Sequence, residues 1–188
     1  MELQHLNAKI YVDGNLSVDP ARFIEVFHAW VRDKTLDGLL IDVADYRHVP
    51  AGPGVMLIGL ADEYSMDQAG KRYGLRYNRK GPLDGSNDDR IRYALRSAAI
   101  ACQLLEAEFA SEGPLKFSRH ELDLLVNDRA FAPNTPETFE SCKPEIEQSL
   151  TAAFGHSDFQ LKHDDDARRL FAVKVTSEKP IDLAALAK

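Results

Sequence analysis

One stretch of the chain limits its fold more than any other. Ile91, Leu95, Ala98, Cys102, Leu105 and Phe109 recur at spacings of four, three, four, three and four. That spacing lines all six along one narrow stripe of an α-helix about five turns long. Ser86 with Asp89 supplies a capping arrangement at its start, and Gly113-Pro114 ends it. A helix with such a stripe must lay it on another apolar surface. The seam lasts fewer than three heptads, so packing against a sheet is favoured over a coiled coil.

The remaining segments supply that sheet. Lys9 to Asp13 reads as a short strand closed by the turn pair Asp13-Gly14. Asp19-Pro20 begins a second helix, because Asp caps free amides and proline needs no amide hydrogen in a first turn. Phe23, Phe27, Trp30 and Val31 form its apolar stripe, and Gly38 marks the exit. Leu39, Leu40, Ile41 and Val43 make an apolar run too short for a helix, which predicts a buried strand. The loop Val49-Pro-Ala-Gly-Pro-Gly54 follows, and Val55 to Leu60 and Tyr73 to Lys80 read as further strands.

Leu115 to Asn127 holds one or two strands, with Leu122 to Val126 the clearer. Thr135-Pro136 repeats the start of a capped helix, with Phe139, Cys142, Ile146, Leu150 and Phe154 as its stripe and Gly155 just beyond. Pro144 lies inside that stripe and predicts a kink or a break. Phe159 to Lys162 and Leu170 to Thr176 form a hairpin around the charged turn from His163 to Arg169, and one loose helical turn follows Pro180. The anchors Asp19-Pro20…Phe23 and Thr135-Pro136…Phe139 raise the prospect of a duplicated βαββ unit. The expected fold is α+β (mixed α/β): one mixed sheet of about six or seven strands, covered by three amphipathic helices. Residues 1 to 188 are read as a single globular domain.

Composition narrows the function classes. The chain is 44% hydrophobic, enough for a packed core and too much for a disordered chain. No apolar run reaches the roughly 20 residues of a membrane span. Met1 to Asn7 has neither the basic start nor the apolar stretch of a signal peptide, so the expected location is the cytoplasm. Cys102 and Cys142 both fall on helix stripes, where a thiol acts as a small hydrophobe. They are too few for a disulfide framework or a thiolate metal centre. The net charge of −7 opposes nucleic-acid and membrane-surface binding.

That average hides an asymmetry. Lys71 to Arg96 carries eight basic residues against Asp84, Asp88 and Asp89, a local charge of +5. Arginine grips phosphate or carboxylate with two parallel donors, so Arg76, Arg79, Arg92 and Arg96 form one candidate anion site. The second candidate is the polar cluster Asp45, Tyr46, Arg47 and His48 with Gly52 and Gly54, beyond a strand end where ligands gather in α/β sheets. Glycines there allow close backbone approach. His163 with Asp164, Asp165 and Asp166 reads as a solvated turn, not a metal site.

No Walker loop, dinucleotide fingerprint, Gly-x-Ser-x-Gly elbow, HExxH or Cys-x-x-Cys is present, so no cofactor or metal is assigned. The expectation is a non-enzymatic binding or interaction protein for a small anionic ligand or a protein partner. The alternative is a small enzyme using His48 with Asp42 or Asp45 as acid–base residues. Nothing in the sequence opposes homo-oligomerisation.

Overall fold

Polar and apolar residues alternate in the central strands, and that alternation sets the layers. The computed structural model describes every residue except Glu112 and Pro114, so the Pro114 part of the expected helix end lies outside the described residues. In chain order the elements are β1 (Leu6–Val12), α1 (Arg22–Asp33), β2 (Leu40–Tyr46), β3 (Gly54–Gly59), β4 (Asp62–Asp67) and β5 (Gly74–Arg79). They continue with α2 (Asn87–Glu108), β6 (Phe117–Val126), α3 (Pro136–Phe154), β7 (Phe159–His163), β8 (Phe171–Ser177) and α4 (Leu183–Leu186). The strands form one sheet in the order β2-β3-β4-β5-β1-β6-β8-β7, antiparallel throughout. The fold is α+β.

Register carries one row of side chains across all eight strands on each face. On the helix side the row is Val43, Leu57, Tyr64, Tyr77, Ala8, Leu124, Val173 and His163. Here α1 packs on β2 and β3, α2 on β1 and β5, and α3 on β7. On the other side the row is Ala44, Met56, Ser65, Arg76, Lys9, Asp123, Lys174 and Lys162. Among the described residues, no helix covers that face. An antiparallel sheet tolerates this arrangement, with one face on the core and one toward water.

The helix signals act where the sequence puts them. Ser86 and Asp89 make a reciprocal capping box at α2, and Ile91, Leu95, Ala98, Cys102, Leu105 and Phe109 are all fully buried. Thr135 caps α3, whose last turn closes on Gly155 at φ +72°. One helix runs through Pro144. Asp19 acts one turn earlier than expected: its carboxylate accepts from Ala21 N, and α1 itself starts at Arg22. The turn after Pro180 is docked, with Leu183 and Leu186 buried.

Three expectations need correction. The sheet has eight strands because Asp62–Asp67 is a strand too; the alternation of Tyr64 and Met66 with Glu63, Ser65 and Asp67 is flanked by acids that mask it. The sheet is antiparallel, not mixed, because the connections between neighbouring strands are hairpins or helical returns that reverse direction. Leu115 to Asn127, read as one or two strands, holds one, Phe117–Val126. Finally, β2 is an exposed edge and not a buried strand: Ile41 is 54% exposed, because β2 has a neighbour on one side only and a bulge between Leu40 and Asp42 turns the backbone.

Two parts of the chain share a coarse order of elements. β1, α1 and the hairpin β4–β5 match β6, α3 and the hairpin β7–β8: a strand, a helix, then a hairpin that returns beside the first strand. The pair β2–β3 is an added hairpin at one edge, and α2 joins the halves. β1 and β6 lie side by side at the centre.

Candidate functional site

The uncovered face holds the candidate site. Odd-numbered residues of β1 and β6 point there, so Asn7, Lys9, Tyr11, Glu121 and Asp123 meet at the centre of the sheet. The loops joining β4 to β5 and β7 to β8 are equivalent in the two halves. They enter from opposite ends of the sheet, because β1 and β6 run antiparallel. Between them lie two adjoining hollows of about 180 and 400 Å³ that share Tyr11, Ala69, Asp123, Arg169 and Ala172 and form one cleft. The larger hollow falls within the range of small-molecule sites.

Lys9 fixes one wall. It is 4% exposed, and its Nζ donates to Asp67 Oδ1 at 2.6 Å and to the carbonyls of Ala69 and Arg72 at 3.1 and 3.0 Å. Burial lowers the Lys9 pKa, and the charge and hydrogen bond of Asp67 oppose that shift. Gly74 lets the side chain through: a Cβ there would stand 2.8 Å from Lys9 Cε and 2.8 Å from the Ile10 carbonyl oxygen. The opposite wall is the β7–β8 loop, where Asn134 Nδ2 donates to the carbonyls of Asp164 and Asp166 at 2.8 and 3.0 Å. Asn134 Oδ1 then faces His163 Nε2 at 2.7 Å, so that nitrogen carries the proton. The His163 ring stacks on Phe139 of α3.

The floor is Tyr11 and Asp123. The Tyr11 hydroxyl donates to Asp123 Oδ2, and the Arg72 guanidinium lies 4.2 Å from the centre of the Tyr11 ring while gripping Glu121. Burial raises the Asp123 pKa, against the Tyr11 hydrogen bond and the charges of Lys174 and Lys9. Burial raises Tyr11 as well, and the neighbouring Asp123 charge adds to it. Asp123 Oδ1 is buried and accepts no hydrogen bond from a described residue, an uncommon state for a buried polar atom.

At the mouth, Lys162 and Lys174 stand directly opposite each other across β7 and β8. Both are exposed, and neither makes an ion pair or hydrogen bond with another described residue. Arg169 lies beside them, paired with Asp164 at 2.6 Å.

The structure distributes the residues singled out in the sequence over several surfaces. Arg76 belongs to the cleft, with Nη1 3.8 Å from Asp67 Oδ2. Arg79 points to the opposite face, where it and the Tyr77 hydroxyl share Asp62 Oδ1 at 2.9 and 2.6 Å. Arg92 pairs with Asp88 at 2.8 Å and Arg96 with Asp37 at 3.7 Å; both line a separate groove between α2, α3 and α4. The four arginines therefore do not meet.

Asp45, Tyr46, Arg47 and His48 do stay together, at the β2–β3 hairpin on the sheet edge. Five strand spacings, about 24 Å, separate that edge from β6. Arg47 grips both oxygens of Asp45 at 2.9 and 2.8 Å, and those bonds hold the carboxyl down to about 2. His48 is exposed, with its ring centre 6.3 Å from that of Tyr46, and it hydrogen-bonds to neither Asp42 nor Asp45. Gly54, at φ +68°, lies where a Cβ would strike the Met66 carbonyl, and Gly52 passes close to Val49. Both glycines serve hairpin packing.

Sequence reasoning missed Lys9, Tyr11, Asp67, Asp123, Lys162 and Lys174. Their signal was the polar half of each alternating strand. Bringing those halves together requires the strand order, which alternation alone does not contain. Among the described residues, no group of three or more His, Cys, Asp or Glu side chains could hold a metal ion, and no helix is long and apolar enough to cross a membrane. Comparison with family models, curated proteins and solved structures finds no match for this chain.

Proposed function

We propose that this protein binds a small anionic ligand in the cleft on the uncovered sheet face, and that it holds the ligand without transforming it. The observation that carries this is the pair Lys162 and Lys174, opposed across β7 and β8 at the cleft mouth with no ion-pair partner among the described residues. Like charges directly opposite on neighbouring strands repel, and an anion seated between them removes the repulsion. Arg169 lies beside them, its charge already paired with Asp164. The groups suited to proton transfer are already engaged: Lys9 on three acceptors, and Tyr11 on Asp123. The test is thermal shift with inorganic phosphate and with phosphate- and carboxylate-bearing compounds. Ligand at about 100 times its Kd should add roughly 2.7 kcal/mol of stability. That gain should weaken with salt and disappear in Lys162→Ala/Lys174→Ala. A gain that survives both lysine replacements contradicts the proposal.

A second reading, docking of a protein partner, is favoured by a different observation. Five of the seven exposed large apolar side chains among the described residues, Leu39, Ile41, Tyr46, Val49 and Leu60 among them, gather at the β2 edge. An edge strand offers unpaired backbone groups to another strand. Sedimentation velocity over a range of concentrations tests this for self-pairing, which Ile41→Lys should abolish.

A further inference from the structure

We propose that Asn134 is a positioning residue of the anion site, and that its clamp on the β7–β8 loop keeps Asp165 from closing on Lys162 and Lys174. This rests on the anion-site reading above and assigns what holds the two lysines free for a ligand. Asn134 directly precedes Thr135, the cap of α3, so its backbone belongs to the body of the fold. Its side chain is spent on the loop: Nδ2 donates to the carbonyls of Asp164 and Asp166 at 2.8 and 3.0 Å, and Oδ1 accepts from His163 Nε2 at 2.7 Å. The His163 ring lies between Phe139 and Phe171, with ring centres 5.5 and 5.7 Å away. Besides the backbone pairing of Asp164 with Ala172, one other hydrogen bond ties residues 164–169 to the rest of the fold, an exposed one from Arg129 to the Arg168 carbonyl. The facing wall is held alike, since Lys9 takes the carbonyls of Ala69 and Arg72.

The clamp acts on the one unengaged acid of the loop. Asp164 is paired with Arg169 and Asp166 with Arg168. Asp165 makes no hydrogen bond or ion pair with a described residue, yet it lines the same hollow as Lys162 and Lys174. Opposite charges on one short loop attract unless the backbone holds them apart. Asn134 grips the carbonyls immediately before and after Asp165, which fixes the backbone of that residue on both sides. With those two bonds cut, Asp165 becomes a tethered competitor for the lysines, at the high effective concentration that a short tether confers.

Isothermal titration of the full chain with inorganic phosphate tests this. Asn134→Ala should weaken phosphate binding about threefold or more, the scale of one exposed ion pair. Asn134→Asp, which keeps an acceptor toward His163 and removes both donors, should act in the same direction. Adding Asp165→Asn to Asn134→Ala should return the affinity to about that of Asp165→Asn alone, a coupling that loss of structure would not produce. In the intact loop, Asp165→Asn should change the affinity less than about threefold, as befits an exposed charge that touches neither lysine. Amide exchange should quicken at residues 165–169 of Asn134→Ala while α3 stays protected. If Asn134→Ala leaves the affinity unchanged, or Asp165→Asn fails to restore it, the positioning role is overturned and the anion site stands. A gain of about threefold or more from Asp165→Asn in the intact loop overturns it too, because Asp165 would then compete with the clamp in place. If neither the native chain nor Asp165→Asn binds phosphate, the anion site itself is overturned.

Discussion

Asp123 works against the stability of the fold that contains it. Its folded pKa lies above the ordinary carboxylate value because burial disfavours the charge. A carboxyl raised in this way contributes stability fully below its unfolded pKa, near 4, and loses that contribution as pH rises through the folded value. Ionised Asp123 is thus a cost at neutral pH. Asp123→Asn, which retains an acceptor for Tyr11, should raise Tm at pH 7, and the gain should fade as pH drops toward about 4. A Tm change that is constant across that range would contradict the assignment. Leu105 gives the opposite extreme. It is fully buried in the α2 seam, so Leu105→Ala should cost about 2–5 kcal/mol in denaturant unfolding.

At the scale of elements, two features behave differently from their appearance in the sequence. Lys9 reads as one polar residue in a strand, yet it ties the β4–β5 loop to the sheet through three acceptors. Lys9→Met leaves Asp67 buried without its main partner and should cost about 3–5 kcal/mol. Adding Asp67→Leu should recover much of that loss, and amide exchange over Ala69 to Arg72 should be fast in both variants. Ile41 reads as core and lies on an exposed edge, so Ile41→Ala should cost less than about 1 kcal/mol. A cost similar to that of Leu105→Ala would mean that β2 is covered. The helices were legible in the sequence because caps and a 3.6-residue period are local signals: Ser86 with Asp89, and Ile91 to Phe109, depend on no distant residue. The β2 edge and the cleft were not legible. An apolar run looks the same at a sheet edge as at its centre, and Lys9, Asp123 and Lys174 come from three strands separated by more than 160 residues in sequence.

At the scale of the whole molecule, the two topological halves meet at β1 and β6, and the cleft sits over that junction between two equivalent loops. One helix layer covers one face of the sheet and leaves the row with Lys9, Asp123, Lys174 and Lys162 on the other. Binding there should be electrostatic at the mouth, so raising the salt from about 0.15 M to about 1 M, which shortens the screening length from about 8 Å to about 3 Å, should weaken phosphate binding severalfold. The sequence alone pointed to the hairpin from Asp45 to Gly54 and to Arg76, Arg79, Arg92 and Arg96, of which Arg76 alone reaches the cleft. Titration of the isotope-labelled protein with inorganic phosphate, followed by backbone amide chemical shifts, separates these places directly. Shifts concentrated at Ala69 to Arg72, Asp123, Lys162 and Arg169 to Lys174 are the predicted result; shifts confined to Tyr46–Gly54 or to Arg92–Arg96, with the cleft silent, would contradict it.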